Sequence, residues 1–278
     1  MKKIFVIILT LIFLSCGLTG CSRGDSHIIL AGSTSVMPYA ELLAEEFMQH
    51  YPDISVDVRG GGSSAGIRAA RDKTAQIGMS SRELDDENDK ERGLWREEIA
   101  IDGLAVIVHP SNPVSGLTLE QLRKIYAGEI TNWRDVGGKN AKIWVVTRES
   151  GSGTRSAFEE LVMNKQRISS KASVETSNGT MRDYISGSQD TIGFISLGLI
   201  EVKGQDPVKA LKLDGIAATP ENVQNGSYGL VRSFWFVASG EPEGIAKDFW
   251  DFAFSEEGQK ILERSGLIIR LKDADEKI

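Results

Sequence analysis

Three times along this chain an apolar run of strand length ends in glycines and hydroxyls and passes straight into a helical pattern. The stretches are "AGSTSV" (31–36), "GGGSSAG" (60–66) and "TRESGSGTR" (147–155). Ordered glycine costs more entropy than any other residue, so a glycine cluster marks backbone that bends sharply or comes close to something. Repeated strand-to-helix turns require an α/β architecture. A helix start also leaves free N–H groups and a partial positive charge, which together favour an anion. Serine and threonine there can cap the helix or donate outward. Plain capping explains any one of these turns and needs one hydroxyl per helix. The turns offer two or three each, which points to a shared anion site.

The rest of the chain fits the same class. "HIILAG", "ISVDVRG", "AQIGMSS", "LAVIVHP", "KIWVV", "DTIGFISLG" and "LVRSFWFVAS" read as strands. "VMPYAELLAEEFMQHY", "SSAGIRAARD", "TLEQLRKIYAG", residues 152–164 and "IAKDFWDFAFSEEGQKILERSG" read as helices, the third closed by Gly128. "HPSNPVSG" and "TPENVQNGSYG" are the candidate crossovers between lobes. They predict a first lobe of residues 21–108 and 226–278 and a second lobe of 109–225. Ligands in such sheets bind at the carboxyl ends of strands, and in two-lobed proteins between the lobes. "RELDDENDKERG" reads as a solvated helical face, with a docking surface as the alternative. Trp95, Trp133, Trp144, Trp235 and Trp250 read as packing residues.

The formal net charge of −7 argues against nucleic acid or an anionic membrane surface as partner. An anion site must then be built locally. Residues 1–20 have a basic start, an apolar core and small residues before Cys21, the pattern of an export signal. "LTGC" (18–21) resembles a bacterial lipobox, which makes Cys21 the lipidated first residue of the mature chain; an ordinary signal peptide is the alternative. Both cysteines lie in this segment, so the exported part has no disulfide. Its three histidines are too scattered for a metal cluster, and no metal or cofactor is expected.

Magnitudes set the size of the site. Micromolar affinity corresponds to about 8 kcal/mol, and association costs at least about 4 kcal/mol more. Charge-assisted hydrogen bonds contribute roughly 1.5–3 kcal/mol each. About six donors must therefore converge, which takes several helix starts and the Arg148 guanidinium. Rival motifs are weaker. "GSSAG" (62–66) matches the G-x-S-x-G nucleophile elbow and makes a surface hydrolase using Ser64 an alternative, but no histidine follows residue 109. No Walker A lysine is present.

Together, "AGSTSVMPYAELLAEEF", "GGGSSAGIRAA", "IGMSSREL", "IAIDGLAVIVHPSNPV", "LTLEQLRKIYAGEITNW", "RESGSGTRSAFEE", "IGFISLG" and "RSFWFVAS" resemble the PstS family, the phosphate-binding lipoproteins of ABC-type importers. The resemblance spans nearly all of the chain after the signal. It implies a two-lobed periplasmic-binding-protein fold (type II) with two hinge crossovers and phosphate in the cleft. It also implies an ABC permease as partner, a lipid anchor in the cell envelope, a monomer and no catalysis. Carried over by position, Thr34 and Ser35, then Ser63, then Arg148, Ser152, Gly153 and Thr154 would hold the anion. Ser81 stands where many longer members carry an aspartate that accepts the proton of hydrogen phosphate. That departure leaves sulfate or molybdate open as alternative ligands. Asp102 could accept the proton instead, or serve as a turn carboxylate. Arg82 could face the cleft or the solvent.

Overall fold

The computed structural model describes residues 26–200 and 207–269; the predicted signal segment and Cys21 lie outside them. Eleven strands and eight α-helices are found among the described residues. The strands are β1 (His27–Gly32), β2 (Ser55–Gly60), β3 (Ile77–Ser80), β4 (Trp95–Val108), β5 (Gly116–Leu117), β6 (Trp144–Arg148), β7 (Ser173–Glu175), β8 (Thr191–Ser196), β9 (Lys209–Ala210), β10 (Lys212–Leu213) and β11 (Val231–Ala238). The helices are α1 (Met37–His50), α2 (Ser63–Arg71), α3 (Leu119–Ala127), α4 (Gly153–Phe158), α5 (Asn178–Ser186), α6 (Pro220–Gln224), α7 (Gly244–Phe254) and α8 (Glu256–Arg264).

One sheet runs in the order β2-β1-β3-β11-β4-β8-β6-β7, with β9 also on β4; β5 and β10 pair separately. β4 joins its two halves. Residues 95–103 of β4 pair antiparallel with β11, and 104–108 pair antiparallel with β8. Two cores follow the same division. One gathers Ile28, Leu43, Phe47, Met79, Phe236 and Phe249; the other gathers Val106, Tyr126, Trp133, Phe158 and Phe194. The pairing changes hands at Gly103–Leu104, where Leu104 N–H donates to Leu230 O. Of the crossovers expected near residues 109 and 226, the first follows the end of β4 at Val108 and the second lies between α6 and β11. Proline and glycine signals mark where a strand stops; a strand that changes partner midway carries no such mark.

Apolar spacing explains the helices. α1 buries Tyr39, Ala40, Leu43, Ala44 and Phe47 on one stripe. α3 opens on a Thr118–Gln121 capping box and closes on Gly128 at φ 82°. Other expectations fail for physical reasons. The helix expected over 152–164 is α4 followed by a wider π turn over Glu159–Met163, ended by Asn164 at φ 45°. The stretch 82–93 is a series of turns, not a helical face. Asp85 Oδ1 accepts from Glu87 N–H and Asn88 Oδ1 from Lys90 N–H, so side chains capture the donors that a helix would use. Trp133 and Trp250 are core residues, while Trp95 and Trp144 are exposed; Lys142 sits over the Trp144 ring.

Candidate functional site

β1, β2 and β3 run parallel, so Gly32, Gly60 and Ser80 end at one edge. β6, β7 and β8 run parallel in the other half and end at Arg148, Glu175 and Ser196. The turns leaving these six ends meet. Ser35 Oγ lies 3.0 Å from Thr154 Oγ1, across the two halves. Ser64 N–H donates to Gly151 O at 3.1 Å. Ser63 Oγ lies 3.3 Å from Ser81 Oγ, and both take part in a chain with Ser33, which donates to Ser81 at 2.9 Å. Ser33, Ser35, Ser63, Ser81, Ser152 and Thr154 are all buried. Burying this many hydroxyls is costly unless each is bonded.

The capping alternative accounts for one of the three turns. Ser152 accepts from Arg155 N–H and caps α4. α1 and α2 have no side-chain cap at all, so Thr34, Ser35 and Ser63 are free for other work. Two glycines have a specific reason. Gly62 sits at φ 88°, a conformation that other residues adopt at a cost. Gly153 lies so close to Ser63 and Ser81 that a Cβ would stand 2.7 Å from Ser81 Oγ and closer still to Ser63 Oγ.

Two arginines reach the cluster. Arg148 is 1% exposed; its Nη2 approaches Thr34 Oγ1 at 3.4 Å, and Glu149 holds its Nε and Nη2. Burial lowers its pKa, and Glu149 opposes the shift. Arg232, from the start of β11, donates to Ser35 Oγ at 3.0 Å and to Asp102 Oδ2 from both Nε and Nη2. Nη1 of each arginine is buried without a hydrogen-bond partner. Asp102 thus belongs to the site through Arg232. Burial raises its carboxyl pKa, and Arg232 opposes that. Asn178, the first residue of α5, donates to Thr34 Oγ1 at 3.1 Å and to Ser35 Oγ at 2.9 Å.

Sequence reasoning missed Ser33, Asn178 and Arg232. Asn178 follows the strand "SVE" within "TSNGT", a fourth strand-to-helix turn of the same type. Arg232 is a cation in an apolar strand. Arg82 faces neither cleft nor open solvent: it is half-buried and forked onto Glu91, with Nη2 3.4 Å from Ser64 Oγ. None of the three histidines bonds to Ser64. His27, His50 and His109 bond or pair with Ser55, with Glu46 and Glu257, and with Ser111. Among the described residues one group has metal-like spacing, Glu46–His50–Glu257, at the far end of α1 from Ser35 and on the surface.

Two α/β halves joined by a shared strand, with buried donors from both halves meeting at the strand ends, define a binding protein of the periplasmic type. Residues 19–257 match the family model described as the PBP superfamily domain. Within that superfamily the chain is 31% identical to the phosphate-binding protein PstS of Borreliella burgdorferi, over 96% of this chain and 99% of that one. It is 30% identical to PstS of Bacillus subtilis, over 87% and 79%. A Clostridium perfringens substrate-binding protein solved with bound phosphate is 43% identical, with a TM-score of 0.83 over 88% of this chain and 100% of that one. The chain belongs to the PstS family, and these relatives are named as phosphate-binding proteins, not enzymes.

Proposed function

We propose that the protein captures inorganic phosphate in the cleft between two lobes and hands it to an ABC permease. The carrying observation is the convergence of Thr34, Ser35, Ser63, Ser81, Arg148, Ser152, Gly153 and Thr154 with Asn178 and Arg232 in one cluster, all but Thr34 buried. The similarity to a protein solved with bound phosphate supports the choice of ligand. In this reading the first lobe is residues 26–103 with 231–269 and the second is 104–230, since the two cores divide there. The lobes open and close about β4 and the start of β11, in the manner of a hinge. Phosphate meets one lobe first, and closure adds the donors of the other in a low-dielectric setting. The chain works outside the cytoplasm as a monomer, lipid-anchored at Cys21.

Calorimetry tests the binding step. The mature chain takes up one phosphate at micromolar or tighter Kd, and Arg148→Ala weakens this by about tenfold to a hundredfold, the value of one charge-assisted contact. A folded wild type that gives no phosphate binding would overturn the reading. Cell fractionation tests the anchor: Cys21→Ala moves the mature chain from the membrane to the soluble fraction.

A further inference from the structure

A hydroxyl has one proton and two lone pairs, so the hydrogen bonds already present fix what each can still do. Thr34 Oγ1 accepts from Asn178 Nδ2 and faces Arg148 Nη2. Ser35 Oγ accepts from Asn178 Nδ2 and Arg232 Nη2. Each has both lone pairs engaged by donors; Thr34 keeps a proton to give, while Ser35 gives its proton to Thr154 Oγ1 at 3.0 Å, which keeps its own proton and one neutral lone pair. Ser81 Oγ accepts from Ser33, and Ser63 Oγ accepts from Ser81 N–H. Whichever way the proton between Ser63 and Ser81 runs, that pair keeps one outward donor and one neutral lone pair. Arg148 Nη1 and Arg232 Nη1 add unpartnered buried donors. The two carboxylates bonded to these arginines are turned onto them: both oxygens of Glu149 onto Arg148, and Oδ2 of Asp102 onto Arg232.

We infer that the cleft recognises a tetrahedral oxyanion through donors alone, so that sulfate binds it alongside phosphate. Asp102 is then a positioning residue that aims Arg232 at Ser35, not the acceptor of a ligand proton. The inference rests on the phosphate-binding reading above and narrows how that site selects. A ligand proton meets at best a neutral hydroxyl lone pair, which the hydroxyl can rotate away. A buried carboxylate facing a ligand without a proton would exclude it; here both oxygens of Glu149 and Oδ2 of Asp102 are engaged by the arginines. Hydrogen phosphate therefore gains no decisive advantage over sulfate. Leaving one buried donor unpaired costs a factor of about 5 to 150, which is the most that the phosphate proton could lose here.

Competition calorimetry on the wild-type mature chain tests this. Sulfate is expected to displace phosphate with a Kd within about 150-fold of the phosphate value, the range of one unpaired buried group. Sulfate weaker than that, with phosphate bound normally, overturns the inference and leaves the phosphate reading standing. Loss of phosphate binding itself would overturn both. A second measurement separates the roles of Asp102. If it positions Arg232, Asp102→Asn weakens phosphate and sulfate by the same factor. If phosphate alone is weakened, Asp102 accepts the ligand proton and the inference fails. Should that variant not fold, the wild-type competition decides alone.

Discussion

Two buried arginine–carboxylate pairs of nearly equal hydrogen-bond length do opposite things in this protein. Arg232 donates to Asp102 at 3.0 and 2.9 Å, and Arg82 donates to Glu91 at 2.8 and 2.7 Å. Both Arg232 bonds fall on one oxygen, Oδ2, whereas Arg82 spreads its two over both oxygens of Glu91. The side chains of the first pair are 3% and 1% exposed, those of the second 16% and 10%. Burial is the largest influence on both carboxyls and pushes both pKa values up. At Asp102 it wins. At Glu91 the bonds from Arg82 and the Asp85 N–H outweigh it, and the pKa falls. The lesson is that pairing does not by itself make a buried charge comfortable; depth and the number of oxygens engaged decide. Glu91 ties the turns over 82–93 together, accepting from Arg82 and from the Asp85 N–H. Asp102 spends its charge on aiming an arginine whose Nη2 also donates to Ser35 Oγ and whose Nη1 is buried without a partner.

The largest effect follows from removing the cation of the deeper pair. Arg232→Met leaves Asp102 buried and uncompensated, which costs about 3–5 kcal/mol, read from urea unfolding at neutral pH. Phosphate binding is lost with it. The double variant Asp102→Leu/Arg232→Met sharpens the contrast. It regains most of that stability, because a buried pair is replaceable by packed apolar groups, yet it stays unable to bind. If the double variant is no more stable than the single one, Asp102 is not the source of the cost.

The next effect concerns closure. Gly153 belongs to one half and Ser63 and Ser81 to the other. A methyl at 153 meets both hydroxyls, and overpacking of this kind costs roughly 1–3 kcal/mol. Because the clash exists only when the halves meet, Gly153→Ala is expected to weaken phosphate about tenfold to a hundredfold while barely moving the urea midpoint. A large fall in stability with intact affinity would show that the clash relaxes locally.

The same contrast explains what a reader of the sequence could see. The α/β class, most elements and three of the glycine–hydroxyl turns that meet between the halves are legible, because glycine, hydroxyl and apolar spacing act locally. The change of partner along β4 is not, since strand pairing is decided by partners far along the chain and Gly103 interrupts nothing. Arg232 and Asp102 are 130 residues apart, so neither alone says that one aims the other. The acidic run 82–93 misled for a different reason: its charge predicts solvent, and most of it is exposed, yet Glu91 and Arg82 fold inward onto each other.

The smallest predicted effect separates the two carboxylates by sign. Glu91 has a lowered folded pKa, so its contribution to stability is present above the ordinary glutamate value near 4.3 and is lost as pH falls through the folded value. Asp102 has a raised folded pKa, so its contribution is favourable below the ordinary aspartate value near 3.9 and is lost as pH rises through the folded value. Glu91→Gln costs about 1–3 kcal/mol at pH 7 from the broken bonds to Arg82, and this deficit relative to wild type shrinks on acidification. Asp102→Asn moves the other way and loses ground to wild type as pH falls. Urea midpoints of the three chains between pH 7 and pH 3 give the two slopes. Slopes of the same sign would mean that the two-oxygen fork at Glu91 does not overcome its burial, and the distinction between the pairs would reduce to depth alone.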